Sequence, residues 1–267
     1  MQSGYIPINN WQIALSAALI LINLGLSIAL KLDLEKRLWI AAVRMIVQLL
    51  LVGYVLNWIF TLDNPLWVLM VAFGMVLIAG RAAVGRTRRR FNQIYWTSFL
   101  SILASSALIT GLTVAGIIQV DPWYDPQYLI PLLGMILGNG LTATSLTLDR
   151  FMEDLVLRRD QIELLLSLGA TRWEAARQSL REAVRTGTIP IINSMMVMGL
   201  VSLPGMMTGQ ILAGASPADA VRYQIVIIFA IAAGAALTAM GIALLAFFAL
   251  FSSKHQLHLE RLRQVAM

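Results

Sequence analysis

Apolar runs long enough to cross a lipid bilayer recur along the chain, and they leave few architectures open. A helix needs about 20 predominantly apolar residues to span the hydrocarbon core. Such runs fall at residues 11–30, 38–60, 66–80, 97–118, 128–148, 187–212 and 224–251. The third is the shortest, and Pro204-Gly205 breaks the sixth in its second half. Only 13% of the 267 residues are charged, against about 25% in an ordinary soluble domain, so the polar surface that would keep the chain in water is missing. A crossing segment must satisfy its backbone internally. The expectation is therefore an all-α, polytopic protein of the inner (plasma) membrane, a single transmembrane domain over residues 1–267 with seven helices.

The basic residues vote on orientation. Lys31, Lys36 and Arg37 lie between the first two runs, and Arg81, Arg86, Arg88, Arg89 and Arg90 between the third and fourth. Arg150, Arg158, Arg159, Arg172, Arg177, Arg181 and Arg185 lie between the fifth and sixth, and Lys254, Arg261 and Arg263 in the tail. The alternate loops hold only Arg222. This pattern places the N-terminus outside and the C-terminus in the cytoplasm, and its parity requires an odd number of spans. The cluster at Arg86–Arg90 then reads as a topology signal touching anionic lipid, and no nucleic-acid partner is expected. Arg44, inside the second run, reads as an arginine snorkelling to the interface. No Lys or Arg precedes the first run, so no cleavable signal is expected. The chain has no Cys and two His, which excludes disulfides, thiolate metal sites and Cys nucleophiles.

The longest polar stretch, residues 150–186, predicts a cytoplasmic helical hairpin. Its first helix is amphipathic, with Phe151, Leu155, Ile162 and Leu166 on one face and Asp154, Arg158 and Gln161 pointing elsewhere. Gly169 supplies a stop. Thr171 and Glu174 form a capping box that opens a second helix from Arg172 to about Thr186. There Trp173, Ala176, Leu180 and Val184 make the apolar side. By itself such a hairpin could be a linker lying on the membrane.

The turn Leu168-Gly169-Ala170-Thr171-Arg172-Trp173 resembles the Leu-Gly-Ala-Ser-x-Trp turn of permease subunits of ATP-binding-cassette (ABC) transporters. In many of these a Glu-Ala-Ala triplet begins six residues before the glycine; here Glu163 holds that place, followed by Leu164 and Leu165. The Leu-Pro expected a dozen residues after the glycine is replaced by Arg181-Glu182, which argues against a typical importer permease. A rigid helix pair of this shape can seat in a groove on a soluble ATPase and carry its movement into the membrane, with Glu163, Gly169, Ala170, Thr171, Arg172, Trp173 and Glu174 at the contact.

Within the spans, Gly134 and Gly138 form a small-xxx-small pair suited to close helix approach. Asn139 lies near mid-membrane, where an amide needs a partner or a cavity. Pro204-Gly205 implies broken backbone at a depth where only protein or a water-lined cavity tolerates it.

Several stretches together resemble the FetB family of iron-export permeases, also known as uncharacterised protein family 14. They are Leu133-Gly-Met-Ile-Leu-Gly-Asn139, Ser145-Leu-Thr-Leu-Asp149-Arg150, Leu168-Gly-Ala170, the run from Gly199 through Pro204-Gly205-Met206-Met207 to Gly214, and Tyr223-Gln224. The resemblance covers most of the chain and is densest over residues 128–230. It implies the permease half of an ABC exporter of iron or a related metal, working as a homodimer with two copies of a separate ATPase. A plant relative linked to aluminium tolerance shows that the family's substrate is not uniform. This chain has no Walker A motif, so it is expected not to be an enzyme: ATP and Mg belong to the partner, and the chain itself is expected to bind no cofactor.

The cargo is less legible. Hard cations prefer carboxylates, yet no span interior holds Asp or Glu. Asp149 sits at the cytoplasmic mouth of the fifth span. The candidate translocation path comprises Asn139, Thr142, Ser145, Asp149, Asn193, Met206, Met207 and Gln210. Asn139 with Thr142 and Ser145 fits a helix–helix hydrogen-bond seam as well as it fits a path. The methionines suit Cu(I) or simple gap-filling. His255 and His258 read as a solvated helix end or a metal pair, and no metal site is assigned. Two other functions compete with the exporter: an ion-coupled secondary metal transporter, which would normally need an intramembrane Asp, Glu or His relay, and a membrane scaffold that regulates an ATPase.

Overall fold

The computed structural model describes residues 8–61 and 64–264. Residues 1–7, read above as the outward-facing start without a basic signal, lie outside the described residues. Nine α-helices are described: α1 (Asn10–Ala29), α2 (Glu35–Phe60), α3 (Pro65–Gly85), α4 (Ile94–Gly111), α5 (Pro126–Leu157), α6 (Arg159–Ser167), α7 (Arg172–Val197), α8 (Gly205–Leu212) and α9 (Pro217–Leu250). Two short strands, β1 (Arg89–Arg90) and β2 (Arg263–Gln264), pair antiparallel.

Among the described residues, six helical segments are long and apolar enough to cross a bilayer: Trp11–Ala29, Glu35–Phe60, Pro65–Gly85, Ile94–Ile118, Pro126–Leu157 and Pro217–Leu250. Ile94–Ile118 comprises α4 and a π-helical continuation, Leu112–Ile118. The protein is thus a mostly helical polytopic membrane protein.

The run at 187–212 is not one helix. It divides between the end of α7 and α8, with irregular backbone over residues 198–204. The break comes earlier than Pro204-Gly205. Met198 is extended and Gly199 takes φ +85°, a left-handed conformation that glycine adopts without cost. Pro204 instead helps restart the helix, its carbonyl accepting the Thr208 N–H at 3.0 Å. Leu200 and Val201, in the break, are 90% and 81% exposed.

The described residues fall into two compact units. The smaller, Met1–Asp63 with Gln210–Ala215, contains the hairpin of α1 and α2. Its turn is fastened by Ser27, whose hydroxyl donates to Glu35 Oε2 at 3.1 Å and accepts the Leu34 N–H at 3.2 Å. Arg44 is exposed on α2.

In the larger unit, Asn64–Gly209 with Ser216–Met267, α5 is the central post and touches α3, α4, α7 and α9. One apolar cluster gathers Phe151, Met152 and Leu155 of α5, Ile162 of α6, Ala176 and Leu180 of α7, and Phe247 and Leu250 of α9. Another joins Ile109, Leu132, Ile136, Ile191, Ile227 and Ile231. The helices approach closely where small residues allow it. A Cβ on Gly187 of α7 would lie 2.0 Å from Thr147 Oγ1 and 2.9 Å from the Ala143 carbonyl oxygen of α5. Gly138, expected to serve such a contact, has open space beside it. The alanine- and glycine-rich face of α9 packs inside the chain, with Ala235, Ala239 and Ala243 buried.

Candidate functional site

The hairpin grows directly out of the core. By apolarity alone the fifth span ends at residue 148 and the sixth begins at residue 187. In the structure α5 runs unbroken through Leu157, with no glycine or proline between residues 148 and 157, and α7 runs unbroken to Val197 although Gly187 and Pro190 lie within it. The expected single helix 150–168 is divided at Arg158, which turns the chain from α5 into α6. The apolar face is as expected: Phe151, Leu155 and Ile162 are buried. Asp154 departs from expectation. Instead of pointing outward it is buried, paired with Arg150 at 3.2 Å.

The turn is rigid for identifiable reasons. Gly169 holds φ +91°, a conformation that a side chain would strain. Thr171 Oγ1 accepts the Glu174 N–H at 3.3 Å, and Glu174 Oε2 accepts the Thr171 N–H at 2.8 Å, completing the capping box. The Thr171 hydroxyl and amide hold the Glu174 carboxyl below its ordinary value of 4.5. Glu163 pairs with Arg159 at 2.8 Å on α6. Ala170 is half-buried and Arg172 reaches back over the rings of Phe247 and Phe248, its guanidinium carbon 5.6 and 5.5 Å from their centroids. Trp173 meets Phe247 edge-on at 5.5 Å and stays about half exposed. A groove of about 850 Å³ opens beside it between α7 and α9.

The polar candidates divide. On α5, Met135, Gly138, Asn139, Thr142, Leu146 and Asp149 are half-buried or exposed, while Ile136, Leu137, Gly140, Ala143 and Thr144 are buried. That three-and-four spacing marks one open stripe. Asn139 Nδ2 donates to the Met135 carbonyl at 3.0 Å and Thr142 Oγ1 to the Gly138 carbonyl at 3.1 Å. These bonds stay within α5. A hydrogen-bonded seam between helices exists elsewhere: Ser101 of α4 donates to the Thr238 carbonyl of α9 at 3.0 Å, and Ser105 bonds the Thr238 hydroxyl. Ser145 is buried, off the stripe, and donates to the Thr142 carbonyl at 3.1 Å. Asn193 is exposed on α7. The stripe ends in a polar pocket of about 420 Å³ lined by Arg88, Asp149, Arg150, Glu153, Thr186 and Gln264 among others. Asp149 Oδ1 accepts the Arg88 N–H there at 2.8 Å.

Met206 packs against the cluster containing Ile109, Ile227 and Ile231, a packing role. Met207 and Gln210 are half-buried, and Gln210 Oε1 is shielded from solvent without a hydrogen-bond partner. Pro204 and Gly205 open α8. Among the described residues no group of three or more His, Asp and Glu gathers as a metal site. The two tail histidines are not a pair: His258 contacts Glu260, while His255 Nδ1 accepts the Arg172 N–H at 2.9 Å. That last contact spans 83 residues, and no local signal announces it.

The sequence matches the family described as Uncharacterised protein family (UPF0014) over residues 10–251. It is 36% identical over 245 residues to the UPF0014 membrane protein YjkA of Bacillus subtilis (strain 168), covering 92% of this chain and 96% of that protein. It is 34% identical over 261 residues to the "Probable iron export permease protein FetB" of Escherichia coli (strain K12), covering 96% and 98%. "Protein ALUMINUM SENSITIVE 3" of Arabidopsis thaliana is 33% identical over 244 residues, covering 91% and 88%. No solved structure matches the chain. With the family matched from the start of α1 to the end of α9, and with relatives this similar along almost their whole length, the chain belongs to the UPF0014 family of membrane proteins.

Proposed function

We propose that this chain is the permease subunit of an ABC exporter in the inner (plasma) membrane, moving iron or a related metal at the expense of ATP hydrolysed by a separate ATPase. The observation that carries the reading is the mechanical continuity of the hairpin. A turn stiffened by Gly169 and the Thr171–Glu174 box joins α6 to α7, and α5 and α7 run without interruption into the apolar core. Force applied at residues 163–174 reaches Asn139 and Asn193 through two rigid rods. The Escherichia coli relative is named a probable iron export permease, and that supports the cargo class.

In this reading the chain crosses the bilayer seven times, N-terminus outside and C-terminus inside. The sixth crossing is made by the upper half of α7 and by α8, in two pieces. Broken backbone within the hydrocarbon needs protein or a water-lined cavity against it. In the single chain Leu200 and Val201 lie open, and Asn139 and Thr142 are only half-buried. A second copy of the chain covers both, and the path for cargo then runs between the two copies. Its neutral oxygens offer brief, weak contact to a passing cation.

The test is metal accumulation in cells carrying this chain with its cognate ATPase, across iron, copper, manganese and aluminium. Export that stops when the ATPase loses its catalytic glutamate supports the reading. Export by the purified chain without nucleotide or companion overturns it.

A further inference from the structure

We infer that His255 is a positioning residue for the Gly169 turn, and that the C-terminal tail is a strap tying that turn to the α3–α4 connection and to Asp149. The contribution to transport rests on the function proposed above; the strap rests on contacts alone.

The first N–H groups of a helix have no partner inside it. At α7 the Glu174 N–H is taken by Thr171. The Arg172 N–H is taken by His255 Nδ1, from the other end of the polypeptide. His255 is held for this contact. Its backbone sits at φ +58°, a left-handed conformation uncommon for residues other than glycine. The turn that imposes it is closed by the His255 N–H donating to the Ser252 carbonyl at 3.2 Å and the Gln256 N–H donating to Ser252 Oγ at 3.3 Å.

The tail beyond is anchored at each step. The His258 N–H donates to the Leu250 carbonyl at 2.9 Å, and Arg261 Nη1 to the Ala249 carbonyl at 2.8 Å. Leu257, Leu259 and Leu262 pack on the cluster around Phe151 and Phe247. The tail then ends as β2, with Gln264 opposite Arg89 and Arg263 opposite Arg90. Just before β1, the Arg88 N–H reaches Asp149 on α5. A closed ring results: the Arg172 turn, His255, the tail, β2, β1, Asp149, then α5 and α6 back to the turn. The turn cannot shift without pulling the strap, and the strap ends at the foot of the polar stripe.

Hydrogen exchange on the full-length chain in nanodiscs tests this, comparing wild type with His255→Gly and His255→Asn. Glycine accepts the backbone conformation and deletes the acceptor, whereas asparagine tolerates the same conformation and supplies Oδ1. Exchange at the Arg172 amide should rise about fivefold in His255→Gly, as expected for one ordinary hydrogen bond, and return toward wild type in His255→Asn. Exchange at the Arg88 amide should follow the same order. An unchanged Arg172 amide in His255→Gly overturns the contact, and a response at Arg172 without one at Arg88 overturns the strap. In proteoliposomes with the cognate ATPase and Fe(II) as probe, ATP consumed per ion moved should rise several-fold in His255→Gly and recover in His255→Asn. An unchanged ratio overturns the positioning role while leaving ATP-driven export standing. If wild type shows no ATP-driven export, the proposed function fails instead, and the exchange pattern alone decides the strap.

Discussion

Arg150 Nη2 and Asp154 Oδ1 lie 3.2 Å apart, one turn from each other on α5, with the arginine side chain 37% exposed and the carboxylate 3%. The other carboxylate oxygen, Oδ2, is buried without a partner. The pair therefore gives a buried carboxylate its partner beside an apolar cluster that includes Phe151 and Leu155. Removing the arginine leaves that carboxylate without it. Arg150→Met should destabilise the protein by about 1–3 kcal/mol, less than the 3–5 of a fully buried pair because Arg150 reaches water. Adding Asp154→Asn should recover part of the loss. Denaturation in detergent micelles measures both, and strictly additive effects would show that the pair contributes nothing.

Gly187 makes a sharper case. Its missing side chain is what lets α7 lie against Thr147 and Ala143 of α5. Gly187→Ala should cost about 1–3 kcal/mol through overpacking, with the two rods forced apart. Thr147→Ala removes the nearest obstruction and a buried hydroxyl that has no partner, so alone it should be close to neutral. Combined, the two substitutions should be milder than Gly187→Ala by itself, though the Ala143 carbonyl keeps the rescue partial. A stability equal to wild type in Gly187→Ala would mean that α5 and α7 do not touch there.

The capping box carries a pH dependence with a definite sign. Hydrogen bonds from Thr171 hold the Glu174 carboxyl below its ordinary 4.5. A depressed carboxyl contributes stability that is fully present above the unfolded value and is lost as pH falls through the lower folded value. Local exchange protection in the first turn of α7 should therefore be flat from neutral pH down to that region and decline on further acidification. Glu174→Gln should remove the decline. Thr171→Ala should weaken the helix start by about 1 kcal/mol at neutral pH.

Orientation is testable because the chain contains no native cysteine. Single cysteines at Ser167, Gln119 and Lys254, treated in intact cells with a membrane-impermeant maleimide, report on three loops. The charge pattern predicts that Gln119→Cys reacts from outside, while Ser167→Cys and Lys254→Cys react only after permeabilisation. Reaction of Ser167→Cys in intact cells would remove the ATPase from the account.

The elements most legible in the sequence are those whose cause is local. The apolar runs mark the crossing helices because backbone satisfaction in lipid depends only on length and polarity, and Thr171 with Glu174 announces a helix start three residues wide. What stayed hidden depends on distant neighbours. Asp154 looks solvent-facing on a helical wheel and is buried because α5 does not stop at the membrane. Gly138 reads as a packing residue and faces open space, whereas Gly187, at small-residue spacing from Ala183 and Ser179, makes the closest approach of the described glycines. The tail histidines look like an i, i+3 pair on a helix, but the chain there is irregular and sends them to different partners. Pro204-Gly205 is the conspicuous break in the sixth run, yet the helix already ends at Val197, where Met198 is extended and Gly199 is left-handed, and Gly205 instead begins α8.

The division between Asn139 and Ser145 gives the most direct test of where cargo passes. Both are polar, both sit on α5, and both satisfy a hydrogen-bond donor within their own helix. Asn139 lies half-buried on the stripe, whereas Ser145 is buried. If the stripe is the path, Asn139→Leu should lower export about tenfold, the size expected when one hydrogen-bond-strength contact with the passing ion or its hydration shell is lost. Thr142→Val and Asn193→Leu should each lower it to a lesser degree, since each removes one polar group along the same route. Ser145→Ala should leave export near wild type. Expression and ATPase co-purification serve as the controls, because none of the four touches the Gly169 turn. Equal loss in Ser145→Ala and Asn139→Leu would place the path elsewhere and return the stripe to an ordinary lipid- or partner-facing surface.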